Sequence, residues 1–157
     1  MADTRSDCFG CWVHTWPRGA RPVPEPVWLL GEGWTLNHRE LGQIRRPSWV
    51  LQSFRHIPTL SRATNLEQME FGQALAQAMS AAGSACQAPR MFLQLTNQSR
   101  GHFHLDLVPW FEGDTSSDPA TLVLQDPPAG APQCSLKELL ELTNQALQAG
   151  ALPVSRL

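Results

Sequence analysis

The residues best suited to chemistry lie in one short run, Gly101-His102-Phe103-His104-Leu105-Asp106-Leu107-Val108-Pro109-Trp110. Strand side chains alternate between faces, so His102, His104 and Asp106 fall together on one face, and Phe103, Leu105 and Leu107 on the other. The apolar set suits a core. The polar set puts titratable groups in register, each of which needs water or a partner when half buried. A solvated edge strand would show the same alternation, but the ionisable row followed by proline and two aromatics favours a site.

A second pair of reactive groups opens the chain, Cys8-Phe9-Gly10-Cys11, with His14 just beyond. A C-x-x-C turn aims two sulfurs at one spot, as a tetrahedral metal site requires, and Gly10 permits the tight backbone. The same spacing occurs in redox pairs and in buried thiols. A redox pair is expected after a strand and at a helix start, and nothing before Cys8 reads as a strand.

These groups must be held by elements whose outlines the sequence gives. Pro17 to Pro26 is proline-rich and reads as an extended connector. Val27–Leu30, Gly31-Glu32-Gly33 and Trp34–Leu36 read as a hairpin. The polar stretch 37–47, with His38, Arg39, Arg45 and Arg46, reads as a loop; its arginines could bind an anion through bidentate hydrogen bonds, but solvated surface arginines are the better reading, and Ser48–Phe54 reads as a buried strand running into Arg55-His56. Thr64-Asn65-Leu66-Glu67 has the pattern of a capping box, with Leu66, Met69, Leu75, Met79 and Ala82 following at near-helical spacing; this predicts a helix from about Asn65 to Ala82, stopped by Gly83. Met91–Leu95 is the next strand, and a short turn at 96–100 makes it antiparallel to the histidine-bearing run. Thr121–Gln125 is expected as a strand, and Ser135-Leu136-Lys137-Glu138 as a second capping box opening a helix through Leu147.

The 157 residues fit one domain, and a net charge of −2 with no basic run argues against bulk nucleic-acid binding or an anionic membrane surface. No apolar run approaches the about 20 residues needed to cross a bilayer, and Met1–Asp7 is too polar for a signal peptide. A cytoplasmic protein follows, in which the four cysteines are thiols or metal ligands rather than disulfides.

Taken together, the run His102-Phe103-His104-Leu105-Asp106-Leu107-Val108-Pro109 resembles the motif of the histidine triad (HIT) superfamily, His-φ-His-φ-His-φ-φ with φ apolar, in all but the third histidine. The order of C-x-x-C, hairpin, strand, helix and paired strands is similar to that of zinc-binding bacterial members. The resemblance spans about Cys8 to Phe111. It implies an α+β fold with a HIT-like antiparallel sheet and one long helix packed on it; the tail beyond Phe111 has no counterpart there, and its own capping box at Ser135 adds a C-terminal helical extension. The expected organisation is a flexible N-terminus at 1–7, a HIT-like domain at 8–113, and an extension at 114–157 that packs on the domain or on a partner subunit.

For the site, the resemblance implies a structural zinc ion held by Cys8, Cys11, His56 and His102, with His14 as the substitute ligand to consider. It implies His104 as the nucleophile that attacks the α-phosphorus of a nucleotide, Gln98, Ser99 and Asn97 as donors to the phosphate, and Asp106 at the position of the third histidine. The implied function is that of a nucleotide hydrolase or nucleotidyl transferase, acting on a dinucleoside polyphosphate or nucleoside phosphoramidate, and the implied assembly is a homodimer. The alternative is a catalytically degenerate nucleotide-binding or scaffold protein that keeps the zinc. Asp106 separates the two: an ionised carboxylate only accepts hydrogen bonds, and two unit charges 4 Å apart repel by about 4 kcal/mol at an effective dielectric of 20. A carboxylate facing phosphate therefore needs a proton, a cation or a turned-away rotamer. The acidic residue expected near the ribose is replaced by Asn37, His38 and Arg39.

Overall fold

The computed structural model describes residues 7–39, 45–95 and 101–157. These form a six-stranded sheet in the order β4-β5-β3-β2-β1-β6, from β1 (Trp28–Leu30), β2 (Trp34–His38), β3 (Trp49–Ser53), β4 (Arg90–Gln94), β5 (His104–Trp110) and β6 (Val154–Arg156). The pairings are antiparallel throughout. Among the described residues four α-helices accompany the sheet, α1 (Phe9–Thr15), α2 (Asn65–Cys86), α3 (Pro119–Leu122) and α4 (Leu136–Leu147), with one 3-10 turn at Leu60–Arg62. The fold is α+β, as expected, with a long helix and a C-terminal helix packed on an antiparallel sheet. Among the described residues no helix is long and apolar enough to cross a membrane.

Residues paired across antiparallel strands share a face. On one face Trp28, Leu36, Leu51 and Leu105 stand in register, as do Trp49, Leu107 and Leu93, and Trp28, Leu36, Leu51, Trp49 and Leu107 join Trp34 and Phe103 in the main core beneath α2 and α4. Two of the buried indoles on this face reach helix partners: Trp34 Nε1–H donates to the Glu67 carbonyl at 2.9 Å, and Trp28 Nε1–H to Asn144 Oδ1 at 3.0 Å. The opposite face is different in kind. Its rows read Thr35–Gln52–His104 and Asn37–Val50–Asp106–Gln94.

Both capping boxes form, at Thr64/Glu67 and Ser135/Glu138. Helix α2 nevertheless runs past Gly83 to Cys86 and ends on Gln87 in the left-handed conformation. Burial of Ala81, Ala82, Ala85 and Cys86 explains this: the small side chains let α2 lie close to the sheet, and that packing overrides the propensity of a single glycine. The buried stripe is accordingly alanine-rich, and Leu66 and Met69, expected in the core, are exposed. The C-x-x-C segment is the start of helix α1 rather than an isolated turn. Asn37 and His38 belong to β2, not to a loop. The stretch expected as a strand at 121–125 is instead α3 and its end, capped by Asp118, whose carboxylate accepts from the Ala120 and Thr121 N–H groups. Strand β6 has no counterpart in the sequence expectation.

Candidate metal centre and histidine site

Along the histidine-bearing run the even positions pass beneath one cover after another. His102 lies under α1, His104 and Asp106 follow, and Val108 lies under α3, where it packs with Leu122 and Val123. Helix α1 is tied to the same face: Gln52 Nε2–H donates to the Gly10 carbonyl at 3.2 Å, and Thr35 Oγ1 lies 3.5 Å from His14 Nδ1. The polar face is thus walled at one end by α1 and at the other by α3, with His104 and Asp106 between.

At the α1 end the structure brings together Cys8, Cys11, His56 and His102, all buried, with ligand atoms within 4.8 Å of one another. Cys8 Sγ lies 3.4 Å and Cys11 Sγ 3.6 Å from His102 Nδ1, and Cys11 Sγ lies 3.4 Å from His56 Nδ1. Zn–S bonds of about 2.3 Å and Zn–N bonds of about 2.05 Å in a tetrahedron put sulfur and nitrogen about 3.6 Å apart, so these donors fit that ion closely. The second nitrogen of His102 supports the same reading. Its Nε2–H donates to the Ser53 carbonyl at 2.7 Å, which fixes the tautomer with the Nδ1 lone pair toward the sulfurs. Burial, opposed by the Ser53 hydrogen bond and aided by His56 and His104, lowers the His102 pKa to about 4, so the ring is neutral as a ligand must be.

Long-range contacts place these four residues. Cys8 is the N-cap of α1 and Cys11 lies in its first turn, while His56 follows β3. The Phe103 N–H donates to the Ile57 carbonyl at 2.7 Å, and the Ser53 N–H donates to the Phe103 carbonyl at 3.2 Å, which stitches the two histidine-bearing segments together. Gly10 is required: a Cβ there would stand 2.7 Å from Cγ and Nδ1 of His102. His14, weighed as a substitute ligand, lies beside the cluster with its ring centroid 5.7 Å from that of His102. Burial, with His102 and Arg21 adding to it, lowers its pKa to about 3.

His104 is half buried, and its Nδ1–H donates to the His102 carbonyl at 2.8 Å. This assigns the lone pair to Nε2. Asp106 is buried, with Oδ1 3.5 Å from Arg39 Nη1. Burial pushes the Asp106 carboxyl up, against the opposing charges of Arg39 and His104. Arg39, read from sequence as a solvated loop arginine, therefore belongs to the site; alternation through Thr35 and Asn37 carries it onto the polar face, and that period was the available signal. Arg46 is also not solvated. It forms a bidentate pair with Asp114, at 2.9 Å through each nitrogen, and donates to the carbonyls of Pro109, Gln125 and Asp126. Asn97, Gln98 and Ser99 lie outside the described residues.

No family model matches the chain, and no curated protein matches it in sequence. Solved structures do match in fold. A Hit-like protein involved in cell-cycle regulation from Bartonella henselae aligns with a TM-score of 0.53 at 16% identity, over 81% of this chain and 88% of that one. A hypothetical histidine triad nucleotide-binding protein from Sulfolobus tokodaii gives 0.54 at 13% identity, over 80% and 85%. A zinc-bound histidine triad family protein from Mycobacterium smegmatis gives 0.54 at 17% identity, over 76% and 81%. The chain has the fold of histidine triad proteins. Within that fold it carries a Cys2His2 cluster able to coordinate a metal ion.

Proposed function

We propose that the protein hydrolyses or transfers at the α-phosphate of a nucleotide, of the dinucleoside polyphosphate or nucleoside phosphoramidate type, through a covalent nucleotidyl group on His104. The observation that carries this reading is the hydrogen bond from His104 Nδ1–H to the His102 carbonyl, 2.8 Å, which holds the ring in the tautomer whose Nε2 is nucleophilic. Attack by Nε2 on the α-phosphorus forms an N–P bond as the bond to the leaving group breaks. Water then attacks phosphorus and gives up a proton to solvent as the N–P bond breaks, and the lone pair returns to Nε2. Asn97, Gln98 and Ser99 are assigned to the phosphate oxygens, and Asp106 to the modified third position of the motif.

Cys8, Cys11, His56 and His102 are assigned to a zinc ion, which would cross-link α1 to the segments after β3 and before β5. Its contribution would be structural: the four ligands would be held together, fixing His102, whose carbonyl accepts from His104 Nδ1–H. A homodimer is supported by the edge strand β4, where Leu93 is 41% exposed and Leu95, just after it, 56%.

The second reading, a nucleotide-binding or scaffold protein without turnover, is favoured by one observation: the third motif position is a carboxylate engaged by Arg39. A panel of dinucleoside polyphosphates and nucleoside phosphoramidates distinguishes the two. The enzyme reading expects cleavage of at least one substrate and loss of it in His104→Ala. Binding without cleavage, with cleavage restored by Asp106→His, would establish the second.

A further inference from the structure

The polar face poses a charge problem at Asp106, whose carboxylate cannot donate to an anion and repels it. Arg39 answers it. Positions 35, 37 and 39 alternate onto that face from β2, Asn37 is in register with Val50, and Val50 with Asp106, so Arg39 leans across β3 to bring Nη1 within 3.5 Å of Asp106 Oδ1. The two partners are unequally covered. The Asp106 side chain is 8% exposed and that of Arg39 33%, so the carboxylate is the buried half and the guanidinium the half a solute meets.

We propose that Arg39 is the anion-binding residue of the site, and that Asp106 is a positioning residue holding its guanidinium on the polar face. The inference rests on the nucleotide reading above and gives the altered third motif position a task. A guanidinium has five N–H donors in a planar fork; contact of one terminal nitrogen with Asp106 leaves the outer edge to engage phosphate oxygens in the bidentate manner. The carboxylate limits the rotamers of a long side chain, so less freedom is lost when the anion arrives. Recognition is then of the phosphoryl group, independent of the base.

The test is titration of the zinc-loaded full chain with AMP and GMP, and with adenosine and guanosine as probes lacking the phosphate. Wild type should bind at least one monophosphate more tightly than its nucleoside. Arg39→Ala should weaken that monophosphate by tenfold or more while leaving the nucleoside within twofold, and Arg39→Lys should recover part of the loss. Asp106→Asn should weaken the monophosphate in the wild-type background and change nothing further in the Arg39→Ala background. The proposal is overturned if wild type does not discriminate monophosphate from nucleoside, or if Arg39→Ala affects both alike. It is equally overturned if Asp106→Asn tightens the monophosphate to the same extent in both backgrounds, the behaviour of a direct repellent. Arg39-dependent binding with no cleavage of any substrate supports this proposal while refuting the hydrolase reading; cleavage with monophosphate affinity unchanged in Arg39→Ala does the reverse.

Discussion

Replacing Gly10 by alanine places a Cβ 2.7 Å from both Cγ and Nδ1 of His102, a separation that carbon and nitrogen do not tolerate. The imidazole has little room to retreat. Its Nε2–H is engaged with the Ser53 carbonyl at 2.7 Å and its Nδ1 faces Cys8 and Cys11 at 3.4 and 3.6 Å, so any tilt that relieves the clash spoils one of these contacts. Overpacking of this kind costs about 1–3 kcal/mol, which corresponds to roughly 5- to 150-fold in zinc affinity if it is expressed in the metal-bound state. Competition against a chelator of known affinity measures the shift, with a thermal melt of the zinc-loaded protein alongside. Gly72 provides the control: it lies within α2, and an added Cβ meets nothing within 4 Å, so Gly72→Ala should leave zinc affinity alone and stabilise the helix by about 0.5–1 kcal/mol. Zinc affinity within twofold of wild type in Gly10→Ala, with an unchanged melting temperature, would refute the close packing of α1 on His102.

Other perturbations separate structural from chemical roles. Arg46→Ala removes one half of an ion pair whose side chains are 0% and 3% exposed, and should cost about 3–5 kcal/mol in a urea titration; a loss under 1 kcal/mol contradicts the clamp. Burial opposes ionisation of Asp114, but hydrogen bonds from Arg46 and the Phe111 N–H, with the Arg46 charge, outweigh it and hold the carboxyl below its usual range. Its stabilisation is therefore complete above about pH 4–5 and lost as pH falls through the depressed folded value, so the stability gap between wild type and Asp114→Asn should close in acid; a gap constant from pH 7 to 3 argues otherwise. Thr64→Ala deletes the cap that accepts from the Glu67 N–H at 3.2 Å and should destabilise by about 1 kcal/mol, with an unaltered urea midpoint as the contrary result.

The parts of this fold that could be read in advance are those encoded locally. Alternation from His102 to Leu107 assigned the faces of the run, and the capping boxes at Thr64 and Ser135 located two helix starts. The cysteine and histidine positions became a set only through resemblance, since Cys8 and His102 are 94 residues apart and no local rule links them. What escaped was decided by tertiary context. Gly83 does not stop α2, because the alanine face around it is buried against the rest of the core. Leu122 and Val123, apolar and adjacent as in a strand, are instead α3 and its C-cap, held by Asp118 at the start and by Val108 beneath. Arg39 and Arg46 looked alike on paper. One reaches a buried carboxylate on the polar face, and the other is itself buried among the segments it binds, the end of β5, Asp114 and the stretch after α3.

The central claim is that His104 carries the nucleotidyl group, and trapping that group tests it most directly. Zinc-loaded protein mixed with each substrate of the panel, quenched in alkali and mapped by mass spectrometry, should show an acid-labile nucleotidyl adduct on His104 that is absent from His104→Ala. Cleavage of substrate with the adduct on another residue, or no adduct and no cleavage with any substrate, would contradict it.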